Sequence, residues 1–154
     1  MTDKQRSNTF VTTQFVLIAL LMFWPDQQGG WGLVDVPVTL VGVALVLTGL
    51  FVLLFSGISL GRSLTASPIP KAKAELVRRG FYKYFRHPIY TGLLSFALGI
   101  GLAAGPAPHM LFVIALFALL NFKARWEEKL LLATYPDYKD YMSKTGMFLP
   151  RLNG

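Results

Sequence analysis

Apolar residues are gathered into four long runs, and the segments between them are alternately bare of cations and rich in them. The first run, residues 10–24 (FVTTQFVLIALLMFW), ends at Pro25 and a polar DQQGG, where a helix should stop. It is short for a membrane span, whose lower limit is about 17 residues, although its polar start can sit at the interface. A signal peptide is another reading of a run preceded by Lys4 and Arg6, but no small-x-small cleavage site follows it. The second run, residues 36–60, carries no charge and is long enough to span with tilt. Gly42, Gly49 and Gly57 recur along it near whole helical turns, which suits close approach by another helix and equally suits the ordinary glycine content of membrane helices.

The third run, residues 89–105, opens after Arg86-His87-Pro88, and the fourth extends over residues 110–133, its last part leaving the lipid. In that last part KARWEEKLLLAT keeps apolar residues three and four apart, so one helix should continue through it. Only Gly-Pro-Ala-Pro-His separates these two runs, which predicts an antiparallel helical hairpin. Gly99 and Gly101 should lie on different faces of the third helix and thin it, admitting a neighbouring helix or a flat ligand.

Composition agrees with a membrane chain: 53% of residues are hydrophobic, 15% are charged, and mean hydropathy is +0.48, against about 25% charged in a soluble domain. Disorder and a soluble α/β enzyme are excluded. The absence of cysteine removes disulfides, thiolate metal sites and cysteine nucleophiles, and two histidines leave little for metal binding, so no metal site is expected. The net charge of +7 raises nucleic acid as a partner until the cations are placed. All 15 fall before the first run, between the second and third (residues 62–86), or from Lys123 onward. The positive-inside rule then puts both termini and the middle loop in the cytoplasm, with four spans and contact with anionic lipid accounting for the charge. No nucleic-acid partner is expected. The chain reads as a single all-α membrane domain, residues 1–154: a bundle of four transmembrane helices with its polar site on the cytoplasmic side.

Because the hairpin returns to its starting face, it brings Arg86-His87-Pro88-Ile89-Tyr90 close to Arg125-Trp126-Glu127-Glu128. Glu127 and Glu128 point about 100° apart on a helix, so at most one faces the hairpin interior fully. A soluble cofactor could meet a lipid-borne substrate there; an interfacial salt-bridge cluster with Arg86 or Arg125 is the alternative. His87 stands at a helix start, where a capping role competes with a catalytic one, and Tyr90 could belong to an aromatic belt.

Read in order, Leu60-Gly61-Arg62-Ser63-Leu64-Thr65, Glu75-Leu76-Val77 with Gly80 and Tyr82, and Arg86-His87-Pro88-Ile89-Tyr90-Thr91-Gly92 resemble the isoprenylcysteine carboxyl methyltransferase family. Arg125 with Glu127-Glu128 and Leu131, then Tyr138, Tyr141 and Phe148-Leu149-Pro150, continue the likeness, and the related phospholipid methyltransferases share the outline. Phe81 and Gly146 stand where members often have proline. The resemblance covers the last three fifths of the chain and implies a membrane enzyme moving a methyl group from S-adenosylmethionine to a lipophilic or prenylated acceptor. By position it implies cofactor contacts from Glu75, Leu76, Val77, Tyr82, His87, Pro88, Ile89, Tyr90, Glu127 and Glu128. It implies Arg125 as the cation holding an isoprenylcysteine-type carboxylate, which favours that acceptor over a phospholipid amine. A four-helix transporter or interaction protein is the alternative, disfavoured by the lack of an ionisable residue in mid-membrane. Residue patterns leave the acceptor and the oligomeric state open.

Overall fold

The computed structural model describes residues 2–25, 30–70 and 76–151, and among these every regular element is a helix. Helix α1 is Asp3–Phe23, α2 Asp35–Leu60, α3 Pro88–Ala104, α4 His109–Thr134 and α5 Tyr138–Lys144, with short 3-10 turns at Gly32–Val34, Gly61–Ser63 and Gly80–Lys83. The all-α class expected from the hydrophobic runs is observed.

The element bounds follow local chemistry. α1 starts well before the first apolar run because Thr2 and Gln5 form a reciprocal capping box: the Thr2 hydroxyl accepts from the Gln5 amide, and the Gln5 side chain accepts from the Thr2 amide. Polar residues that hydropathy alone leaves out are thereby helical, and at 21 residues α1 is long enough to cross a bilayer. The expectation of a short first segment is corrected. α2 ends at Gly61, whose φ of +52° breaks the helix where a side chain would be strained. Pro88 occupies the first turn of α3, where its missing amide hydrogen costs nothing.

Three helices, α1, α2 with its flanking turns, and α4, have the length and apolarity to cross a membrane. α3 has 17 residues, a rise of about 25 Å against a hydrocarbon core of about 30 Å. It lies at the centre of the bundle. On one side Gly42 and Gly49 of α2 meet Gly99 and Gly92 of α3, the register of an antiparallel pair. A Cβ at Gly49 would stand 2.5 Å from the Phe96 amide nitrogen and 2.6 Å from the Gly92 carbonyl oxygen, so the two backbones touch. The third small residue on this face is the fully buried Ser56, not Gly57, around which the nearest foreign atom lies at 3.9 Å. A step of eight residues rotates a position by about 80° and carries it off the stripe.

On its other side α3 meets α4 and α1. Gly101 faces Met110 and Val113, and Leu93 and Ala97 pack with Leu21, Val113, Leu116 and Leu120 in the buried core. Gly99 and Gly101 thus admit two different helices on two faces, and α3 and α4 form the expected hairpin. The outer face of α2 leaves Leu40, Leu47, Leu54 and Ile58 exposed, as a lipid-facing surface requires.

Candidate active site

At the end of the bundle where α1 and α3 begin and α2 and α4 finish, the chain encloses a pocket with about 830 Å³ of unfilled space, partly open to the outside. One wall is the segment Thr65–Pro70 after α2, which bends over residues 66–69; the others are Leu76, Val77 and Tyr82, the start of α3, the face of α4 carrying Glu127 and Leu131, and Tyr135, Tyr138 and Tyr141.

The start of α3 is set by the segment after α5. The Arg86 amide donates to the Gly146 carbonyl at 2.8 Å and the His87 amide to the Met147 carbonyl at 3.1 Å, making a parallel bridge beside Phe85. Thr91 donates its hydroxyl to the Phe148 carbonyl at 2.7 Å. Below this bridge Arg86 acts as a three-way tie. Its Nε donates to Glu128 Oε1 at 2.6 Å, and its Nη1 donates to the carbonyls of Met142 and Thr145 at the end of α5. A cation suits carbonyls at a helix C-terminus. Both partners of the Arg86–Glu128 pair are about nine-tenths buried, so neither charge is well compensated without the other.

The imidazole of His87 makes no side-chain cap to α3, which leaves it for the site. Its Nε2 lies 3.3 Å from Glu128 Oε1 and its Nδ1 3.8 Å from Glu127 Oε2, so one ring stands between two carboxylates. Tyr90 stacks parallel on His87 with ring centroids 5.2 Å apart and donates its hydroxyl to Glu127 Oε2 at 2.8 Å. The adjacent glutamates are thus separated in role: Glu127 keeps partial access to the pocket, and Glu128 is the buried counter-ion behind it.

Tyr141 donates to the Tyr82 carbonyl at 2.6 Å, and burial pushes its phenol up to about 12. Burial likewise raises the phenols of Tyr82 and Tyr138 well above their ordinary value, so all three remain hydroxyl donors at neutral pH. Tyr138 is 1% exposed, lines the pocket, and has no hydrogen-bond partner for its hydroxyl among the described residues.

Of the residues singled out from the sequence, Leu76, Val77, Tyr82, His87, Ile89, Tyr90 and Glu127 line the pocket. Pro88 is buried in the first turn of α3, and Glu128 lies behind the wall. Glu75 falls outside the described residues. The structure does not bring Arg125 to the pocket: it is exposed and donates to Asn121 Oδ1 at 2.7 Å, because two residues along a helix is about 200° of rotation away from Glu127. Arg86 is the guanidinium at the pocket wall. Sequence reasoning missed Ser67, Pro68, Ile69 and Pro70, whose signal was the pair of prolines, which bars the residues before them from helix. Tyr135 had no signal beyond its residue type.

The sequence model of the family described as phospholipid methyltransferase matches residues 38–138, from α2 to the start of α5. The chain belongs to that family. It is 31% identical over 118 residues to the protein-S-isoprenylcysteine O-methyltransferase of Saccharomyces cerevisiae, covering 73% of this chain and 48% of that protein. It is 32% identical over 146 residues to the cobalt-zinc-cadmium resistance protein CzcN of Cupriavidus metallidurans, covering 93% of this chain and 62% of that one. The chain therefore spans about half the length of the yeast protein and under two thirds of the bacterial one. Its fold superimposes on the eukaryotic intramembrane Ras methyltransferase, isoprenylcysteine carboxyl methyltransferase, with a TM-score of 0.67 at 19% identity, over 100% of this chain and 55% of that structure. The family resemblance read from the RHPIYTG and EExxL elements agrees with the family model, the yeast relative and the solved structure, and the family's span includes both elements.

Proposed function

We propose that this family member is an S-adenosylmethionine-dependent membrane methyltransferase whose residues 1–154 act as one domain and whose acceptor reaches the pocket from the bilayer. The observation that carries this reading is the convergence of His87, Tyr90 and Glu127 with the tyrosines at and around α5 on a single pocket at one end of an apolar bundle. When bound, S-adenosylmethionine supplies a methyl group activated by its sulfonium sulfur. The residues present fit such a molecule. The unpartnered hydroxyl of Tyr138 offers a donor or acceptor to a polar group in the pocket, and Ile69, Leu76 and Val77 offer apolar surface to its flat or alkyl parts. Glu127 can accept from an amino group or ribose hydroxyls, while His87 and Arg86 can face a carboxylate. Methyl transfer depends on placing and desolvating the reacting atoms more than on a strong base, a task that suits a pocket walled largely by tyrosine, proline and aliphatic side chains.

An isoprenylcysteine-type carboxylate remains the favoured acceptor, on the activity in the yeast relative's name. Arg125 is set aside as the cation for it, since its side chain lies outside the pocket. The pocket end, with both termini, is assigned to the cytoplasm by the distribution of lysine and arginine, and α3 counts as the fourth span.

Titration calorimetry of the detergent-purified protein with S-adenosylmethionine and S-adenosylhomocysteine, using ATP as control, tests the cofactor. Saturable binding of both with ATP ignored is expected; no binding by folded protein overturns the reading. Since the chain has no cysteine, Lys139→Cys at the pocket end and Leu33→Cys at the other can be labelled with an impermeant thiol reagent in whole cells. Labelling of Leu33→Cys alone is expected, and the opposite pattern overturns the orientation.

A further inference from the structure

The one cation of α4 buried inside the bundle, among the described residues, is Lys123, and the site described above does not use it. It is 1% exposed on a helix long and apolar enough to span. An isolated ammonium there is costly unless its three donors are satisfied. Nζ donates to Gln14 Oε1 of α1 at 2.7 Å and to the Ala66 carbonyl at 2.9 Å, and it lies 5.2 Å from the centroid of the Tyr90 ring. Two hydrogen bonds and one aromatic face account for the ammonium without any ligand.

Two of these three partners, Ala66 and Tyr90, lead to the pocket. Ala66 precedes Ser67, Pro68, Ile69 and Pro70, the wall segment, and Ser67 is tied again to α1 by a 2.8 Å hydrogen bond with Ser7. Tyr90, under the ammonium, is the residue whose hydroxyl holds Glu127. Gln14 belongs to the helix that carries no family motif.

We propose that Lys123 is a positioning residue of the pocket: its ammonium fixes the Thr65–Pro70 wall and the Tyr90–Glu127 pair against α1, so that α1 controls the shape of the ligand site. The inference deepens the cofactor reading and rests on it for its ligand, but the wall can be measured without ligand. Lys123 is not a catalytic residue, since its donors are already engaged away from the pocket interior.

The test uses the full chain in detergent with S-adenosylhomocysteine as probe and hydrogen exchange over residues 64–70 as a second readout. Lys123→Met, which keeps length and apolar bulk, should weaken S-adenosylhomocysteine about tenfold or more, the size of losing hydrogen bonds to a charged group, and should speed exchange over 64–70. Gln14→Leu, which leaves the Ala66 bond in place, should do the same to a smaller degree, and Lys123→Arg should restore affinity to within about threefold of wild type, the charge-assisted donors being retained. Should Lys123→Met fail to fold, Gln14→Leu and Lys123→Arg carry the comparison. Wild-type affinity and wild-type exchange in both Lys123→Met and Gln14→Leu overturn the proposal. If the wild-type protein itself ignores the probe, the cofactor reading fails, and the exchange of 64–70 in the variants still decides whether Lys123 holds the wall.

Discussion

The two sides of α3 are built on opposite principles. Against α2 it presents Gly92 and Gly99 to Gly42 and Gly49, and the contact exists because side chains are missing there. Against α4, near its start, it presents His87 and Tyr90, and Arg86 just before them, to Glu127 and Glu128, and the contact exists because long polar side chains reach across. In a bilayer there is no hydrophobic drive between helices, so close backbone packing supplies adhesion on the first side. Buried charge supplies little net stability but fixes geometry on the second. One side tolerates no added volume, and the other tolerates no lost partner.

The largest expected effect comes from breaking the charged side. Glu128→Leu leaves Arg86 buried and uncompensated, and a cost of about 3–5 kcal/mol is expected, read as a large fall in the thermal midpoint in detergent. Glu127→Gln should barely move that midpoint while weakening S-adenosylhomocysteine, and equal destabilisation by both changes would erase the division of roles between them. Next comes the glycine side: Gly49→Ala puts a Cβ against backbone atoms that cannot turn away, for about 1–3 kcal/mol. A neutral result would mean that α2 and α3 are farther apart than the structure has them.

A smaller effect belongs to Tyr141, whose phenol is raised in the folded state by burial from an ordinary 10.0 to about 12. A raised folded value means that its contribution is whole below pH 10 and is lost as pH climbs toward 12. Unfolding midpoints should therefore be steady with respect to this group through neutral pH and fall above 10, and Tyr141→Phe should flatten that alkaline slope. The smallest effect is expected at Gly57, off the stripe and with space around it: Gly57→Ala should leave the midpoint unchanged or raise it, by up to about 1 kcal/mol of helix propensity.

Much of this was legible in the sequence, and what was not has physical reasons. The bounds of α2, α3 and α4 fall within a residue or two of their apolar runs, because uncharged length and Pro88 are strong signals. α1 was misjudged because its polar first turns are held by a cap, a hydrogen-bond feature invisible to hydropathy. Topology alone brought the Arg86–Tyr90 and Glu127–Glu128 segments together, as the structure has them. It could not orient side chains around α4, and Arg125 consequently stands on the far face. The part of the wall over residues 67–70 was missed because a pair of prolines signals a break in helix but says nothing of what the segment lines. The burial of Lys123 was not foreseen, since nothing near it in sequence names Gln14 as its partner.

The bridge that joins Arg86 and His87 to Gly146 and Met147 bears on how the protein is made. A ribosome delivers α1, α2, α3 and α4 in order, all of them before residue 147. The start of α3 can be held in its final conformation only after residue 147 has left the exit tunnel. During translation the apolar helices are therefore complete before the pocket is closed, and its closure arrives as a late, abrupt step rather than growing with the chain.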